Sequence, residues 1–123
     1  MASLTNVEIG SVVCNLVSNI PASISGTLPL LVNQSVHTAE NITGNDLDVA
    51  SIGESYQPGV IFLTISNVLG LMESQGIGTK SVKVGELSIM KGMNEGTSKD
   101  FERKGIKLLQ DIGQKMSYYQ TWS

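Results

Sequence analysis

The chain has 123 residues and a net charge of −3, with only 15% charged residues against 41% hydrophobic ones. That length allows one domain with a real core and falls short of an ordinary two-domain enzyme. So little charge leaves Ser, Thr and Asn to form most of the polar surface, as in a permanent oligomer or a monomer with an uncharged polar coat.

The charge is also unevenly placed. All eight basic residues lie between Lys80 and Lys115, whereas residues 1–79 hold six acidic side chains and no Lys or Arg. An acidic part followed by a basic one suits heterologous contacts between copies, or a basic surface that meets a polyanion; chance in a lightly charged chain is the plain alternative. No apolar run reaches the roughly twenty residues of a bilayer span, since residues 60–72 are interrupted by Thr64, Ser66 and Asn67. The start, MASLTNVE, lacks a basic and apolar secretory signal, so the chain is expected to be made and kept in a cytoplasm. The sequons at Asn33 and Asn41 then carry no meaning. Cys14 has no partner for an internal disulfide and reads as a small, partly buried residue beside the first apolar stripe.

Thr5-Asn6-Val7-Glu8 fits a capping box and opens the first helix. Ile9, Val12, Val13, Leu16, Val17 and Ile20 follow helical spacing on one face, and Pro21 is expected to end it. Residues 22–26 read as a small polar connector. Thr27 or Ser25 can cap a second helix, with Pro29 in its first turn and a stripe of Leu28, Leu31, Val32, Val36, Ala39 and Ile42 before Gly44 stops it. His37 falls opposite that stripe and reads as a surface or interface histidine. Between residues 45 and 58, Val49, Ile52 and Tyr56 suggest a short helix that finishes at a Pro58-Gly59 break.

From residue 59 to 74 the chain is apolar nearly all round, which predicts a helix buried on more than one side: the spine of the domain, covered by its neighbours and by a subunit contact. Gly76-Ile77-Gly78-Thr79-Lys80-Ser81 is not a phosphate loop, because the glycines are wrongly spaced and the Lys does not follow the second. It reads as a flexible joint.

Residues 81–90, SVKVGELSIM, switch to strict alternation. A two-residue turn at Gly85-Glu86 puts Val82, Val84, Leu87 and Ile89 on one face and Lys83 and Ser88 on the other, with Gly85 where a type II′ turn needs positive φ. A lone hairpin must pack on helices, and its open edges suit assembly; a hairpin that caps its own domain is the other reading. Thr97-Ser98-Lys99-Asp100 is a second capping-box match. The last helix carries Phe101, Gly105, Leu108, Ile112, Met116 and Tyr119 in one line with Leu109 at its edge, and Lys99, Arg103, Lys104, Lys107 and Lys115 largely off it. This reads as a core stripe with a solvated charged face, and less as a nucleic-acid-binding helix, because Asp100, Glu102 and Asp111 dilute the basic charge. Tyr118, Tyr119 and Trp122 are expected to dock on this domain or on a partner, because such side chains are costly to leave exposed at a chain end. The fold expected is therefore mostly α: one domain over residues 1–123, a small helical bundle with one β-hairpin at about 80–90 and a C-terminal helix and tail at about 98–123.

No nucleophile with a base, paired carboxylates, metal-ligand cluster or phosphate cradle stands out, so neither catalysis nor a cofactor is expected. The order of a helix, a helix ending in Ala39-Glu40-Asn41-Ile42-Thr43-Gly44, an apolar helix, the stretch from Ser81 to Ile89 and a final amphipathic helix resembles the head-to-tail adaptor proteins of tailed bacteriophages, also called connector or head completion proteins. The resemblance covers about residues 28–119. The lack of positive charge before residue 80 and the extended polar connector depart from the commoner members.

The resemblance implies a structural virion protein, made in the host cytoplasm, that forms a ring of about twelve copies in the neck. Such a ring sits under the portal, prolongs the DNA channel and is the platform for the next neck or tail protein. By the same likeness, Val82, Val84, Leu87 and Ile89 would join intersubunit or stopper-facing contacts, and Tyr118, Tyr119 and Trp122 would reach the portal. Lys80, Lys83, Arg103, Lys104 and Lys107 would face the channel or another polyanion, the genomic DNA passing without sequence-specific binding and with no membrane involved. The alternatives are another neck or tail-completion protein, such as a stopper or tail terminator, and a small cytoplasmic helical regulator that binds nucleic acid.

Overall fold

A computed structural model describes residues 3–17, 20–76 and 98–122, with side chains of the last helix described as far as Ile112. Among these residues the chain is mostly helical, in five α-helices and one 3-10 turn. The helices are α1 (Asn6–Leu16), α2 (Ala22–Ser25), α3 (Leu28–Thr43), α4 (Gln57–Ser74) and α5 (Ser98–Trp122). No strand occurs among the described residues, which hold only isolated bridges; the expected hairpin at 81–90 and the capping Thr97 lie outside them.

The start of α1 forms as its sequence dictates. The Glu8 N–H donates to Thr5 Oγ1 at 3.1 Å, and Glu8 Oε1 accepts from the Thr5 N–H at 2.9 Å. Two N–H groups without helical partners are thereby satisfied. Thr5→Ala is expected to cost about 1 kcal/mol in urea unfolding, whereas Thr5→Ser should be nearly neutral.

The helix ends earlier than Pro21 suggests. Val17 turns extended (φ −96°, ψ 122°) and buries its side chain, while Ile20 packs on the core from outside the helix. Pro21 biases only the residue before it away from helical backbone, and core burial of Val17 ends α1 a turn sooner. Residues 22–26 are likewise not a plain connector. Pro21 leads into the single turn of α2, which exists to bury Ile24.

Thr27 occupies the N-cap position of α3, as expected, but neither its hydroxyl nor that of Ser25 caps the helix. Both donate backwards instead, to the carbonyls of Ile24 (2.8 Å) and Ala22 (3.3 Å). Pro29 sits in the first turn of α3, where a missing N–H costs nothing. The stripe is as expected, with Leu28, Leu31, Val32, Val36 and Ala39 buried, and Gly44 ends the helix at φ 74°. That left-handed position suits glycine because it has no Cβ to clash.

The short helix expected between 45 and 58 does not form. Leu4 and Ile52 instead exchange backbone hydrogen bonds (2.7 and 3.0 Å), and the Asn6 N–H donates to the Val49 carbonyl at 2.8 Å. Ile52 is fully buried by this pairing. A 3-10 turn at Glu54–Tyr56 then leads directly into α4, so Pro58 and Gly59 lie in the first turn of that helix instead of breaking it.

The spine is α4: Gly59 through Ser66, Val68, Leu69 and Met72 are all buried, and α1, α3 and α5 pack around it. Its covering comes from its own chain, so the expected subunit contact is not needed to explain so apolar a helix. Three polar side chains are buried in this core. Thr64 Oγ1 lies 2.9 Å from Ser35 Oγ and 2.8 Å from the Val60 carbonyl, and Ser35 Oγ donates to the Leu31 carbonyl at 3.1 Å. Ser66 Oγ lies 3.1 Å from Ser98 Oγ, which also donates to the Ser66 carbonyl at 2.9 Å. Hydroxyls that bond within their own helix and across to a neighbour can be buried without penalty and fix which turns face each other.

Helix α5 runs antiparallel to α4, with Ser98 at Ser66, Phe101 on Phe62, and Gly105 and Leu109 at Gly59. Its buried line is Phe101, Gly105 and Leu109, with Ile106, Leu108 and Ile112 half-buried beside it. Leu109 is therefore central to the stripe and Leu108 is at its edge, the reverse of the expectation. The cause is Gly59, whose missing side chain opens the place that Leu109 fills.

Candidate interaction surface

Before α5 the charged residues described are acidic, whereas α5 carries both signs, with Asp100, Glu102 and Asp111 among its basic residues. On the outside of α5, Lys99, Arg103 and Lys107 are exposed and Lys104 is half-buried. The first three recur every four residues, so they share a face turned away from the line of Phe101, Gly105 and Leu109. None of the three forms an ion pair with a described residue. Of the residues singled out from sequence as contact or channel-facing positions, Arg103, Lys104 and Lys107 are the ones with described side chains. Lys80, Lys83, Val82, Val84, Leu87 and Ile89 lie outside the described residues. Tyr118, Tyr119 and Trp122 lie on the helical backbone of α5, which continues to Trp122 instead of giving way to a separate tail.

The described residues before α5 present only acids. Asp46 and Asp48 are exposed on the turn that follows Gly44, with Val49 between them and the N-terminal segment. This turn is tied down at several points. The Leu47 N–H donates to Glu40 Oε2 (2.9 Å), the Ala50 N–H to Asp48 Oδ1 (2.9 Å) and the Ser51 N–H to the Asp48 carbonyl (2.9 Å). His37 is on the surface, as its position opposite the stripe implies, with Nδ1 3.4 Å from Glu40 Oε1. No group of three His, Cys, Asp or Glu side chains that could hold a metal ion occurs among the described residues.

A shallow groove of about 220 Å³ lies between α1 and the α2–α3 junction, lined by Val7, Gly10, Ser11, Cys14, Leu28 and Pro29 among others. Cys14 faces out into it, so it is exposed and not partly buried as expected. The sequence held a sign of this. Val7, Gly10, Ser11 and Cys14 have the helical spacing of a second, smaller stripe, hidden beside the stronger one through Ile9 and Val13. Val7 and Leu30 are the most exposed large apolar residues described, at 58% and 62%. Among the described residues no helix is long and apolar enough to cross a membrane.

Comparison of the chain with models of protein families, with curated proteins and with solved structures finds no match in any of the three.

Proposed function

We propose that the chain is a structural virion protein that forms a ring in the neck of a tailed bacteriophage, between portal and tail, and extends the DNA channel. The observation that carries this reading is the order of elements: a helix stopped at Thr43-Gly44, a buried apolar helix, and a long amphipathic helix that continues to Trp122. In this reading, 81–90 is a two-stranded hairpin whose apolar face, Val82, Val84, Leu87 and Ile89, joins contacts between subunits or with the next neck protein. The end of α5 reaches the portal, and the protein needs no cofactor and catalyses nothing. The burial of α4 by its own chain is compatible with a monomer that assembles only on meeting the portal.

The test is co-sedimentation with portal rings of the same virus. Joint Tyr119→Ala and Trp122→Ala replacement should reduce binding at least about tenfold, the effect of losing aromatic anchors, with little change in thermal unfolding. Binding by the altered protein equal to that of the unaltered one would remove the proposed role of this end. The second reading is a nucleic-acid-binding regulator, favoured only by the basic face of α5; it requires steeply salt-dependent DNA binding by the monomer.

A further inference from the structure

Lys99, Arg103 and Lys107 form no ion pair with a described residue, although Asp111 continues their four-residue line and Glu102 flanks it, both exposed. The same molecule carries the opposite charge elsewhere. Described residues before position 77 include Glu8, Glu40, Asp46, Asp48, Glu54 and Glu73 and not one Lys or Arg. Of these acids, Asp46 and Asp48 stand together on a turn held by backbone bonds to Leu4 and Asn6 of the N-terminal segment through Ile52 and Val49. A turn held this way loses little freedom on binding.

We propose that the face of α5 formed by Lys99, Arg103 and Lys107 docks on the Asp46 and Asp48 turn of a second copy of this chain. The proposal rests on the ring reading above and gives it a contact surface. The two faces lie on different elements, so the contact is heterologous: each copy uses its basic face on one neighbour and its acidic turn on the other. Repetition of that contact closes a ring, or extends a filament if the rotation does not close. Val49, 37% exposed beside the two aspartates, supplies an apolar centre to an otherwise charged contact. A second copy fits better than a polyanion, because a long polyanion lying on α5 would also approach the exposed acids Glu102 and Asp111 of the same helix. Lys99 and Lys107 lie about 12 Å apart along the helix, a span that one tight turn and its flanks can meet.

Charge reversal tests this. One variant carries Asp46→Lys and Asp48→Lys; the other carries Lys99→Glu, Arg103→Glu and Lys107→Glu. Sedimentation of the full chain at low salt, alone and with portal rings of the same virus, should show each variant assembling at least about tenfold more weakly than the unaltered protein, since each then sets like charges together. An equimolar mixture should recover association, because the reversed face of one variant again meets opposite charge on the reversed face of the other. Added salt should weaken the unaltered protein's association. Unchanged association by both variants, or a mixture that stays as weak as its components, overturns the proposed surface while leaving ring formation through other contacts intact. An unaltered chain that never self-associates but binds duplex DNA through the same three basic residues overturns it in favour of a polyanion. Failure of the ring reading itself is read separately, as a chain that neither associates nor adds to portal rings.

Discussion

Replacing Phe101 with Ala is expected to remove about 3–5 kcal/mol of stability, the largest single effect of any substitution considered. Phe101 is fully buried, and its ring lies 5.8 Å, centre to centre, from that of Phe62 at an angle of 23°. The change therefore discards an aromatic contact as well as apolar area, and leaves a cavity between rigid helices that cannot close on it. Domains of this size are stable by only about 5–15 kcal/mol, so the variant should be close to unfolding at physiological temperature. Phe101→Leu keeps most of the volume and should cost about 1–2 kcal/mol. Urea unfolding followed by circular dichroism separates these cases. A loss below about 1 kcal/mol for the Ala variant would mean that α5 is not docked on α4 through this ring.

Gly59→Ala should also destabilise the protein, by about 1–3 kcal/mol, although a Gly to Ala change inside a helix ordinarily stabilises by up to about 1 kcal/mol. The reversal of sign is the point of the experiment. A Cβ at residue 59 would stand 2.6 Å from Leu109 Cγ and 2.8 Å from its Cδ2, well inside contact distance. Leu109 is fully buried, so any shift it makes must displace core neighbours. On the facing helix, a Cβ at Gly105 would meet the Gly59 carbonyl oxygen at 3.0 Å, so the two backbones approach as closely as residues without side chains permit. Leu109→Ala alone should cost about 2–5 kcal/mol, but it opens the space that the added methyl group needs. The double variant should then be more stable than the sum of the two losses implies by at least about 1 kcal/mol. Stabilisation by Gly59→Ala, or strict additivity, would place the crossing of α4 and α5 elsewhere.

Those two contacts show where the sequence is informative and where it is not. Local chemistry is legible: the Thr5 and Glu8 cap, the Gly44 stop and the stripe from Leu28 to Ala39 depend on neighbours within a few residues, and each forms as the sequence implies. The all-round apolar pattern of α4 correctly marks the spine. That pattern cannot say what covers it, because a helix partner in the same chain and one in another copy bury it equally well.

Expectation and structure part where a distant residue decides the outcome. Ile52 has helical spacing with Val49 and Tyr56, yet it pairs with Leu4, far earlier in the chain, and no local pattern records that bridge. Pro58-Gly59 looks like a break when glycine is taken as punctuation, whereas Gly59 is small to admit Leu109. Ile24 is inconspicuous among small polar neighbours, although one apolar residue beside a proline is enough to draw a turn of helix into the core. For the interaction surface, the basic face of α5 is visible as a four-residue spacing of Lys99, Arg103 and Lys107. The exposure of Cys14 is hidden by its nearness to the stronger stripe.

The central claim is that copies of this chain form a neck ring on a portal, and native mass spectrometry tests it most directly. The protein is measured alone and after mixing with portal rings from the same virus. The expected result is an assembly of about twelve copies, formed either by the chain itself or by addition to the portal ring. A chain that remains monomeric or dimeric and leaves the mass of the portal ring unchanged would contradict the claim.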